Sequence, residues 1–322
     1  MFPSKDQLTI CFAHAAYQMK SRFDVRQTGI RSFEVRAYEE LQKRIGEADV
    51  VVVSGMWKND LIAHAPKLKF IQSISSGMDQ YSSERLGAKK VRLASAAGVN
   101  ARAVAEHAMA LILAVARRLP EARDNQHEKT WRGMIGDLAE REDELGGKTL
   151  LVVGMGRIGS HLAKLAKAFD MKVIGIRRDP AQGANGADSI HPMGDLVKLV
   201  PQADFVALTC ALTPETTGLM SASAFAAMKP SSVFVNVARG KVADEVALIE
   251  TMKAGRIWAA ALDVTADEPL PQGSPLWAMP NVFITPHTAG ETRRYEDNVL
   301  DILLENLERL WRGETSLRNQ VL

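Results

Sequence analysis

The stretch TLLVVGMGRIGSHLAKLAKAF (residues 149–169) decides the fold of this 322-residue chain. It begins as an apolar run typical of a buried strand and ends as a segment whose apolar residues recur at helical spacing. Between the two stands the pattern G-x-G-x-x-G, with glycines at positions 154, 156 and 159. A strand, three glycines at this spacing and a helix together predict a βαβ unit that binds a dinucleotide.

Each glycine of this pattern has a separate task. Gly154 permits the tight turn, Gly156 lets the pyrophosphate approach the backbone, and Gly159 allows the helix to pack closely on the strand. The helix is expected to begin at Arg157 and Ile158, so that the backbone N–H groups and the partial positive charge of its N-terminus face the phosphates. A glycine-rich turn without a ligand is the alternative, but the strand and the helix on either side favour a dinucleotide site formed by residues 154 and 156–159.

The next apolar run, KVIGIRRDP (172–180), predicts which dinucleotide binds. An acidic residue that bonds the ribose 2′-hydroxyl is expected about 20 residues past the glycines. This chain has Arg177 and Arg178 there, and Asp179 follows one residue later. Guanidinium groups bind a 2′-phosphate through charge-assisted hydrogen bonds, so the sequence favours NADP(H) over NAD(H). In the alternative interpretation, both arginines face solvent and Asp179 reaches the ribose.

Strand-like runs alternate with helical patterns along most of the chain. The first hundred residues contain the runs LTICFA, ADVVVVSG, LKFIQSIS and VRLASA, and a second series starts at residue 149. Apolar runs without polar alternation suit parallel strands covered on both faces. We therefore predict an α/β protein with two doubly wound parallel sheets, in which a Rossmann cofactor domain (101–290) is inserted in a flavodoxin-like substrate domain. The substrate domain is expected to comprise residues 1–100 and a returning C-terminal helix within 291–322.

Composition narrows the class of protein. Hydrophobic residues make up 46% of the chain, charged residues 24%, and the net charge is +2, so neither nucleic acid nor an anionic membrane is an expected partner. Cys11 and Cys210 form no disulfide framework and no metal-ligand cluster. The N-terminal residues lack the pattern of a signal peptide, and the apolar stretch 103–116 contains Glu106 and His107. These features predict a cytoplasmic protein without a metal site.

Polar residues follow three runs of the second series. They lie in VNVARGKVADEVAL (235–248), ALDVTADEPLP (261–271) and NVFITPHTAG (281–290). Ligands of open α/β sheets bind outside the carboxyl ends of the strands. We therefore expect four side chains to converge on one crevice: Arg239, Asp263, Glu268 and His287.

These residue types suit one reaction. Hydride transfer between a C–H–O–H centre and nicotinamide requires removal or return of a hydroxyl proton, which histidine can perform near neutral pH. Glu268 could orient the imidazole of His287, and Arg239 could hold a substrate carboxylate and polarise its carbonyl. Each residue alone has an ordinary structural explanation, but four of them at strand ends, after a dinucleotide fingerprint, favour catalysis.

The chain resembles the D-isomer-specific 2-hydroxyacid dehydrogenase family over nearly its whole length. The resemblance is carried by the glycine pattern and by the segments VNVARG, LDVTADEPLP and ITPHTAG. It implies that Arg239, Glu268 and His287 form the catalytic set and that Asp263 lies near the nicotinamide carboxamide. It also implies two domains with a hinged cleft and a homodimer.

Further binding residues are expected at other strand ends. Ser76 and Gly77, in SSGMD (75–79), resemble a family loop whose backbone N–H groups bind the substrate carboxylate. Trp57 is a candidate for the pocket wall, although a tryptophan after a strand is as often a core residue. Thr209 and Ala238 are further candidates for cofactor binding.

The expected function is reduction of a small 2-keto acid. No second basic residue is evident in the strand-end segments of the first domain to hold a phosphate group, which favours glyoxylate or hydroxypyruvate over a phosphorylated acid. Two alternatives stay open at this point. One is a dinucleotide-sensing scaffold of the same fold, similar to the family's corepressor branch, and the other is a family variant that acts on formate or phosphite.

Overall fold

A computed structural model of the chain describes residues 2–78 and 80–322, with every side chain in these ranges except that of Ala139. The chain divides into two compact units. The first comprises residues 1–100 and 292–322, and the second comprises residues 101–291.

The first unit contains one parallel five-stranded sheet. Its strands are β1 (Thr9–Ala13), β2 (Arg31–Val35), β3 (Val50–Val53), β4 (Phe70–Ser73) and β5 (Arg92–Ala94). Its helices are α1 (Met19–Val25), α2 (Tyr38–Arg44), α3 (Ser83–Ala88) and the C-terminal α10 (Tyr295–Trp311). The strand order β2-β1-β3-β4-β5 is that of the flavodoxin-like doubly wound fold.

Burial explains which strands the sequence pattern predicted. Every residue of β3 and β4 is buried, because helices cover both faces of the sheet, and such strands have no polar alternation. The helix α10 covers one face with the fully buried side chains of Val299, Leu303 and Leu307. By contrast, β2 lies at the sheet edge and is mostly exposed or half-buried. Its sequence RSFEV has no apolar run, so the pattern did not predict it.

The second unit contains a parallel seven-stranded sheet. Its strands are β6 (Thr149–Val153), β7 (Lys172–Ile176), β8 (Ser189–His191), β9 (Phe205–Leu208), β10 (Val233–Asn236), β11 (Ala259–Leu262) and β12 (Val282–Ile284). Its helices are α4 (Ala101–Ala116), α5 (Leu119–His127), α6 (Arg157–Ala168), α7 (Leu196–Leu199), α8 (Ala222–Ala226) and α9 (Glu245–Lys253). The order β8-β7-β6-β9-β10-β11 is the Rossmann order, with β12 added at one edge. The predicted α/β fold class is confirmed.

The helical region after residue 100 is interrupted. The helix α4 ends at Ala116, and α5 begins at Leu119. Between them, Arg118 has the left-handed backbone angle φ of 49°. The physical reason is Pro120, which has no N–H to donate to the carbonyl of Ala116. That carbonyl accepts a hydrogen bond from the N–H of Asp143 instead, at 2.9 Å.

In the described part of the chain, no helix combines the length and apolar character needed to cross a membrane. The same residues bring together no group of three or more His, Cys, Asp or Glu side chains suited to a metal ion.

Candidate active site

The carboxyl ends of all seven strands of the second sheet lie at one edge, because every pairing in that sheet is parallel. The strand order reverses between β6 and β9, which is where open α/β sheets form their ligand crevice. The predicted site residues of this unit follow β6, β7, β9, β10, β11 and β12 in the chain. The topology therefore places them along a single edge.

The packing of the protein itself requires two of the three glycines. Gly154 has a φ of +108°, and a Cβ atom there would lie 2.5 Å from the backbone nitrogen of Cys210. A Cβ atom at Gly159 would lie 2.3 Å from the carbonyl oxygen of Gly154. Contacts this short exclude any side chain, so the turn and the start of α6 have space only for glycine.

Gly156 differs from the other two. It precedes α6 with a φ of −85°, which any residue can adopt, and a Cβ atom there would meet nothing within 4 Å. Protein packing therefore does not explain the glycine. The open space in front of it lies at the N-terminus of a 12-residue helix, where free N–H groups suit a phosphate. These residues fit the pyrophosphate of a dinucleotide.

Thr209 holds the glycine turn from the neighbouring strand. Its hydroxyl donates to the carbonyl of Gly154 at 2.8 Å, and its N–H donates to the carbonyl of Val153 at 2.9 Å. The side chain of Thr209 is buried, and its hydrogen bonds stabilise the glycine turn. The adjacent Cys210 is also enclosed, and burial raises the pKa of its thiol to about 11.

Arg177 follows the last residue of β7 directly, which is the position at which the sequence predicted contact with the ribose 2′-position. Its Nη1 donates to the carbonyl of Gly183 at 3.0 Å, and its Nη2 donates to the side chain of Gln182. Arg178 beside it is exposed. The carboxylate of Asp179 is occupied locally, since it accepts hydrogen bonds from the N–H of Ala181 at 3.1 Å and from Gln182 at 3.2 Å.

Glu268 and His287 form a hydrogen-bonded pair. Oε2 of Glu268 lies 2.6 Å from Nδ1 of His287, and Oε1 accepts the N–H of Thr265 at 3.2 Å. A carboxylate can only accept, so Nδ1 carries the hydrogen of the imidazole. Among the described residues, none bonds to Nε2 of His287, and the side chain is 43% exposed. The pair therefore presents Nε2 to solvent in a fixed orientation.

Asp263 is 2% exposed and anchors the loop that carries His287. Its Oδ1 accepts from the hydroxyl of Thr285 at 2.6 Å and from the N–H of Thr288 at 3.0 Å, while Oδ2 accepts from the N–H of Ala289 at 3.2 Å. The N–H of His287 also donates to the backbone carbonyl of Asp263, at 2.8 Å. The carboxylate is thus a structural centre for this loop, and Oδ2 retains acceptor capacity for a ligand.

Asn236 supports the turn that carries Ala238 and Arg239, and sequence reasoning missed it. Its side-chain nitrogen donates to the carbonyl of Arg239 at 3.1 Å, and its side-chain oxygen accepts the N–H of Ala238 at 3.0 Å. Asn236 is 2% exposed, and a buried amide at the end of an apolar strand was the available signal.

The turn of Arg239 packs against the loop that leads to Glu268. A Cβ atom at Gly240 would lie 1.9 Å from the carbonyl group of Thr265, so glycine allows the two loops to touch. Nη1 of Arg239 donates to the carbonyl of Ala238 at 2.7 Å, and the residue is exposed. Most of its guanidinium N–H groups therefore stay available to a ligand.

In the first unit, a serine network supports the loop after β4. The hydroxyl of Ser75 lies 2.7 Å from that of Ser54 and 3.2 Å from that of Ser73. Within the part of the chain that the structure covers, the backbone N–H groups of Ser76 and Gly77 donate to no protein group. Asp79, the last residue of the SSGMD segment, lies outside the described residues.

Trp57 lies in the core, which is the alternative that the sequence left open. Its side chain is 3% exposed and stacks on Tyr81 with ring centroids 5.8 Å apart, and its indole N–H donates to Asn59. The next residue, Lys58, places Nζ 4.0 Å from the centroid of the Tyr38 ring. Burial therefore leaves Trp57 almost no surface for a substrate.

Comparison with known proteins places these features among dehydrogenases. Residues 109–289 match a family model described as "D-isomer specific 2-hydroxyacid dehydrogenase, NAD binding domain". A solved D-isomer specific 2-hydroxyacid dehydrogenase family protein from Aeromonas salmonicida superimposes with a TM-score of 0.84 at 30% identity, covering 98% of this chain and 99% of that one.

Two curated relatives differ in the share of their length that is matched. The chain is 37% identical over 293 residues to glyoxylate/hydroxypyruvate reductase B of Escherichia fergusonii, covering 90% of this chain and 89% of that protein. It is 38% identical over 285 residues to D-3-phosphoglycerate dehydrogenase of Methanocaldococcus jannaschii, covering 86% of this chain. The match spans only 52% of the latter protein, so the chain spans about half of that relative's length.

Proposed function

The chain belongs to the D-isomer-specific 2-hydroxyacid dehydrogenase family, and we propose that it reduces a small 2-keto acid to the 2-hydroxy acid with NADPH. The observation that carries the proposal is the Glu268–His287 hydrogen bond of 2.6 Å, at the same sheet edge as the glycine turn. A histidine with a fixed tautomer and a solvent-facing nitrogen is the acid–base group that such a reduction needs.

The side chains of this site have distinct tasks in the proposed reaction. A reduced nicotinamide, held by the glycine turn, would supply a hydride to the keto carbon. Nε2 of protonated His287 gives its proton to the keto oxygen, which becomes the hydroxyl oxygen of the product. Glu268 holds Nδ1 and stabilises the imidazolium before transfer. The imidazole then regains a proton from water, and in the oxidation direction it acts as the base.

Two groups support binding of an α-carboxylate. The exposed guanidinium of Arg239 is available for a bidentate interaction with carboxylate oxygens, which fixes the substrate and withdraws electron density from the adjacent carbonyl. In the first unit, the N–H groups of Ser76 and Gly77 form a second set of donors suited to an anion. Each set, considered within its own unit, is suited to bind a carboxylate of the substrate.

The surroundings of β7 support a preference for NADPH. Arg177 and Arg178 follow the strand directly, and Asp179 is occupied by hydrogen bonds to its own turn. An aspartate that caps its own turn is poorly placed to accept from a ribose hydroxyl, whereas two guanidinium groups attract a 2′-phosphate. The pyrophosphate would be held by the glycine turn (Gly154, Gly156 and Gly159) and the start of α6. The carboxylate of Asp263 would accept a hydrogen bond from the nicotinamide carboxamide.

Glyoxylate or hydroxypyruvate is the substrate we favour. The reductase relative is matched over 89% of its length, whereas the phosphoglycerate dehydrogenase is matched over 52%. The loop SSGMDQY (75–81) contains no basic residue for a substrate phosphate. Lys58, the basic residue nearest to Trp57 in the chain, already lies over the ring of Tyr38.

We further propose a homodimer that works in the cytoplasm. The segment between α5 and β6 contains three exposed large apolar side chains: Trp131 (99% exposed), Met134 (102%) and Leu138 (76%). Large apolar side chains exposed within one short segment are typical of an interface, and a second copy of the chain is the occupant we infer. Cys11 and Cys210 are free thiols, which suits a reducing compartment.

The test of the proposed function is oxidation of NADPH or NADH, followed by absorbance, with glyoxylate, hydroxypyruvate, pyruvate, phenylpyruvate and 3-phosphohydroxypyruvate. We expect turnover with the first two and NADPH, and loss of most turnover with retained cofactor binding in His287→Gln. His64→Gln, an exposed histidine of the first unit, is the control and should keep full activity. Tight cofactor binding without turnover of any acid would contradict the proposal and favour a dinucleotide-sensing scaffold.

A further inference from the structure

A histidine outside the proposed catalytic set lies beside the buried carboxylate of Asp263. His107 projects from α4, and its side chain is 24% exposed. Its Nε2 lies 2.9 Å from the hydroxyl oxygen of Thr285 and 3.5 Å from Oδ1 of Asp263. These three residues come from α4, the end of β12 and the end of β11, so only the fold brings them together.

The chemistry of the three groups determines the direction of their hydrogen bonds. A carboxylate only accepts, and the hydroxyl of Thr285 is 2.6 Å from Oδ1 of Asp263, so the hydroxyl hydrogen points to Asp263. The hydroxyl oxygen is then left with lone pairs alone. Nε2 of His107 must therefore carry a hydrogen and donate it to Thr285. The result is a relay in which His107 donates to Thr285 and Thr285 donates to Asp263.

The relay ends on the group that anchors the loop of His287. Asp263 accepts the N–H groups of Thr288 and Ala289, one and two residues after His287, while its backbone carbonyl accepts the N–H of His287. Thr285 precedes the histidine by two residues. Because hydrogen bonds in a chain polarise one another, a donor at the start of the relay strengthens the bond that holds Thr285 on Asp263. Both sides of the His287 turn are thus tied to one buried carboxylate.

We propose that His107 is a positioning residue, which donates through Nε2 to Thr285 and thereby holds the loop 285–289 so that His287 stays on Glu268. It touches neither reacting atom, and its effect passes through Thr285 and Asp263. The catalytic consequence rests on the proposed function, whereas the relay itself is a property of the folded chain.

The first experiment reads the proton on His107 directly. The chain has seven histidines, so a nitrogen-15 spectrum of protein labelled in its histidine rings can be assigned by the signals missing in His107→Gln. We expect Nε2 of His107 to be protonated at neutral pH in the unliganded protein. A bare Nε2 with a protonated Nδ1 would overturn the relay, whatever the protein catalyses.

The second experiment is a double-mutant cycle on turnover. His107→Phe keeps the bulk and removes the donor, and Thr285→Val keeps the shape and removes the hydroxyl. Each should lower kcat about tenfold, the equivalent of losing one hydrogen bond, with the KM for the keto acid nearly unchanged. The double variant should lose no more than either single one, because both break the same relay.

Controls separate positioning from general damage. His107→Gln retains an N–H donor and should have a higher kcat than His107→Phe. Glu106→Gln changes the exposed neighbouring residue, and its kcat should equal that of the wild-type protein. Two outcomes would overturn the proposal. One is a double variant whose kcat falls about a hundredfold, the product of the two single losses, and the other is a His107→Phe variant with wild-type kcat.

Failure of the proposed function remains distinguishable from failure of this inference. If the wild-type protein reduces no 2-keto acid, hydrogen exchange still reports on the loop. The amides of Thr288 and Ala289 should exchange faster in His107→Phe than in the wild-type protein, because their acceptor is less firmly held. Unchanged exchange of both amides would overturn the role of His107 independently of any activity.

Discussion

Glu268 and His287 share a hydrogen bond of 2.6 Å although 19 residues separate them in the chain. Glu268 follows β11 and His287 follows β12, and these strands are parallel neighbours, so their carboxyl ends meet at one edge. The second oxygen of Glu268 is held by the N–H of Thr265 at 3.2 Å. Both ends of the carboxylate are therefore occupied, which fixes the direction in which the imidazole presents Nε2.

Removal of the charge at Glu268 should impair the proposed acid–base step. We expect Glu268→Gln to lower kcat about 10- to 100-fold, the equivalent of one charge-assisted hydrogen bond, while cofactor binding is retained. Asp267→Asn, on the exposed neighbour, is the matched control. Steady-state kinetics with the best 2-keto acid measures the effect, and equal activities of the two variants would contradict the assigned role of Glu268.

The two arginines after β7 should discriminate between the cofactors. Arg177→Ala should raise the KM for NADPH about 10- to 100-fold, because a charge-assisted bond to the 2′-phosphate is lost. The KM for NADH should change little, since that cofactor has no 2′-phosphate, and it serves as the internal control. Equal losses with both cofactors would indicate general damage to the turn, which Arg177 also holds through Gly183.

Two glycine substitutions should separate binding from folding. Gly156→Ala places a methyl group in open space, so we expect the midpoint of thermal unfolding to stay within about 2 °C while the dinucleotide Kd rises at least about tenfold. Gly159→Ala places a methyl group 2.3 Å from a backbone carbonyl and should destabilise the protein strongly or prevent folding. Calorimetry and cofactor titration measure both, and a Gly156→Ala variant with normal affinity would rule out close approach of the phosphate.

The exposed apolar segment between α5 and β6 should control association. Trp131→Arg should raise the Kd for dimerisation by about 30-fold or more, because a tryptophan buried at an interface centre contributes about 2 kcal/mol or more. Trp277→Arg, on a tryptophan that is 57% exposed, is the control. Sedimentation velocity can distinguish two chains from one chain of 35.2 kDa, and dimerisation equal to wild type in both variants would place the interface elsewhere.

Acid should remove one stabilising contribution from the second unit. Burial would raise the pKa of Asp204, but hydrogen bonds from Lys229 at 2.7 Å and from the N–H of Thr149 at 2.8 Å outweigh it, and the pKa is lowered. A lowered folded-state pKa means that the stabilisation exists above the unfolded value of 3.8 and disappears as the pH falls through the folded value.

Asp204→Asn should therefore cost about 1–2 kcal/mol of unfolding free energy near pH 7 and progressively less below pH 4. Urea unfolding across this range measures the difference, with the exposed Asp170→Asn as the control. A cost that stays constant down to pH 2 would contradict the assigned ionic contacts.

Local patterns were sufficient for the fold class and for the candidate residues. The glycine spacing and the helical periodicity are both contained in the segment 149–169, so this segment predicts its own strand, turn and helix. The contacts of Thr209 and Cys210 with the turn come from 55 residues away and could not be predicted locally. Strands such as β3 are entirely apolar because both faces are covered, and this environment can be recognised without knowledge of the neighbours. The same reasoning could not find β2 or β8, which lie at sheet edges where burial demands no apolar run.

Tertiary structure decided how these residues are used. The sequence was equally compatible with Trp57 in the pocket wall and with Trp57 in the core. In the structure, Trp57 packs against Tyr81 in the core. Asp263 was expected beside a cofactor, but the fold also surrounds it with donors from a loop that is more than 20 residues away.

The sequence by itself determined a dinucleotide fingerprint, the α/β class and the chemical types of the site residues, because each depends on the residue and its near neighbours. Only the tertiary structure decided that Asn236 holds the turn of Arg239 and that His107 meets Thr285 across 178 residues. The physical reason is that a hydrogen bond joins atoms about 3 Å apart in space. A sequence pattern indicates which side chains are buried, but it does not show which distant residues come within that range. Which strand ends and helix faces become neighbours depends on the packing of the whole sheet.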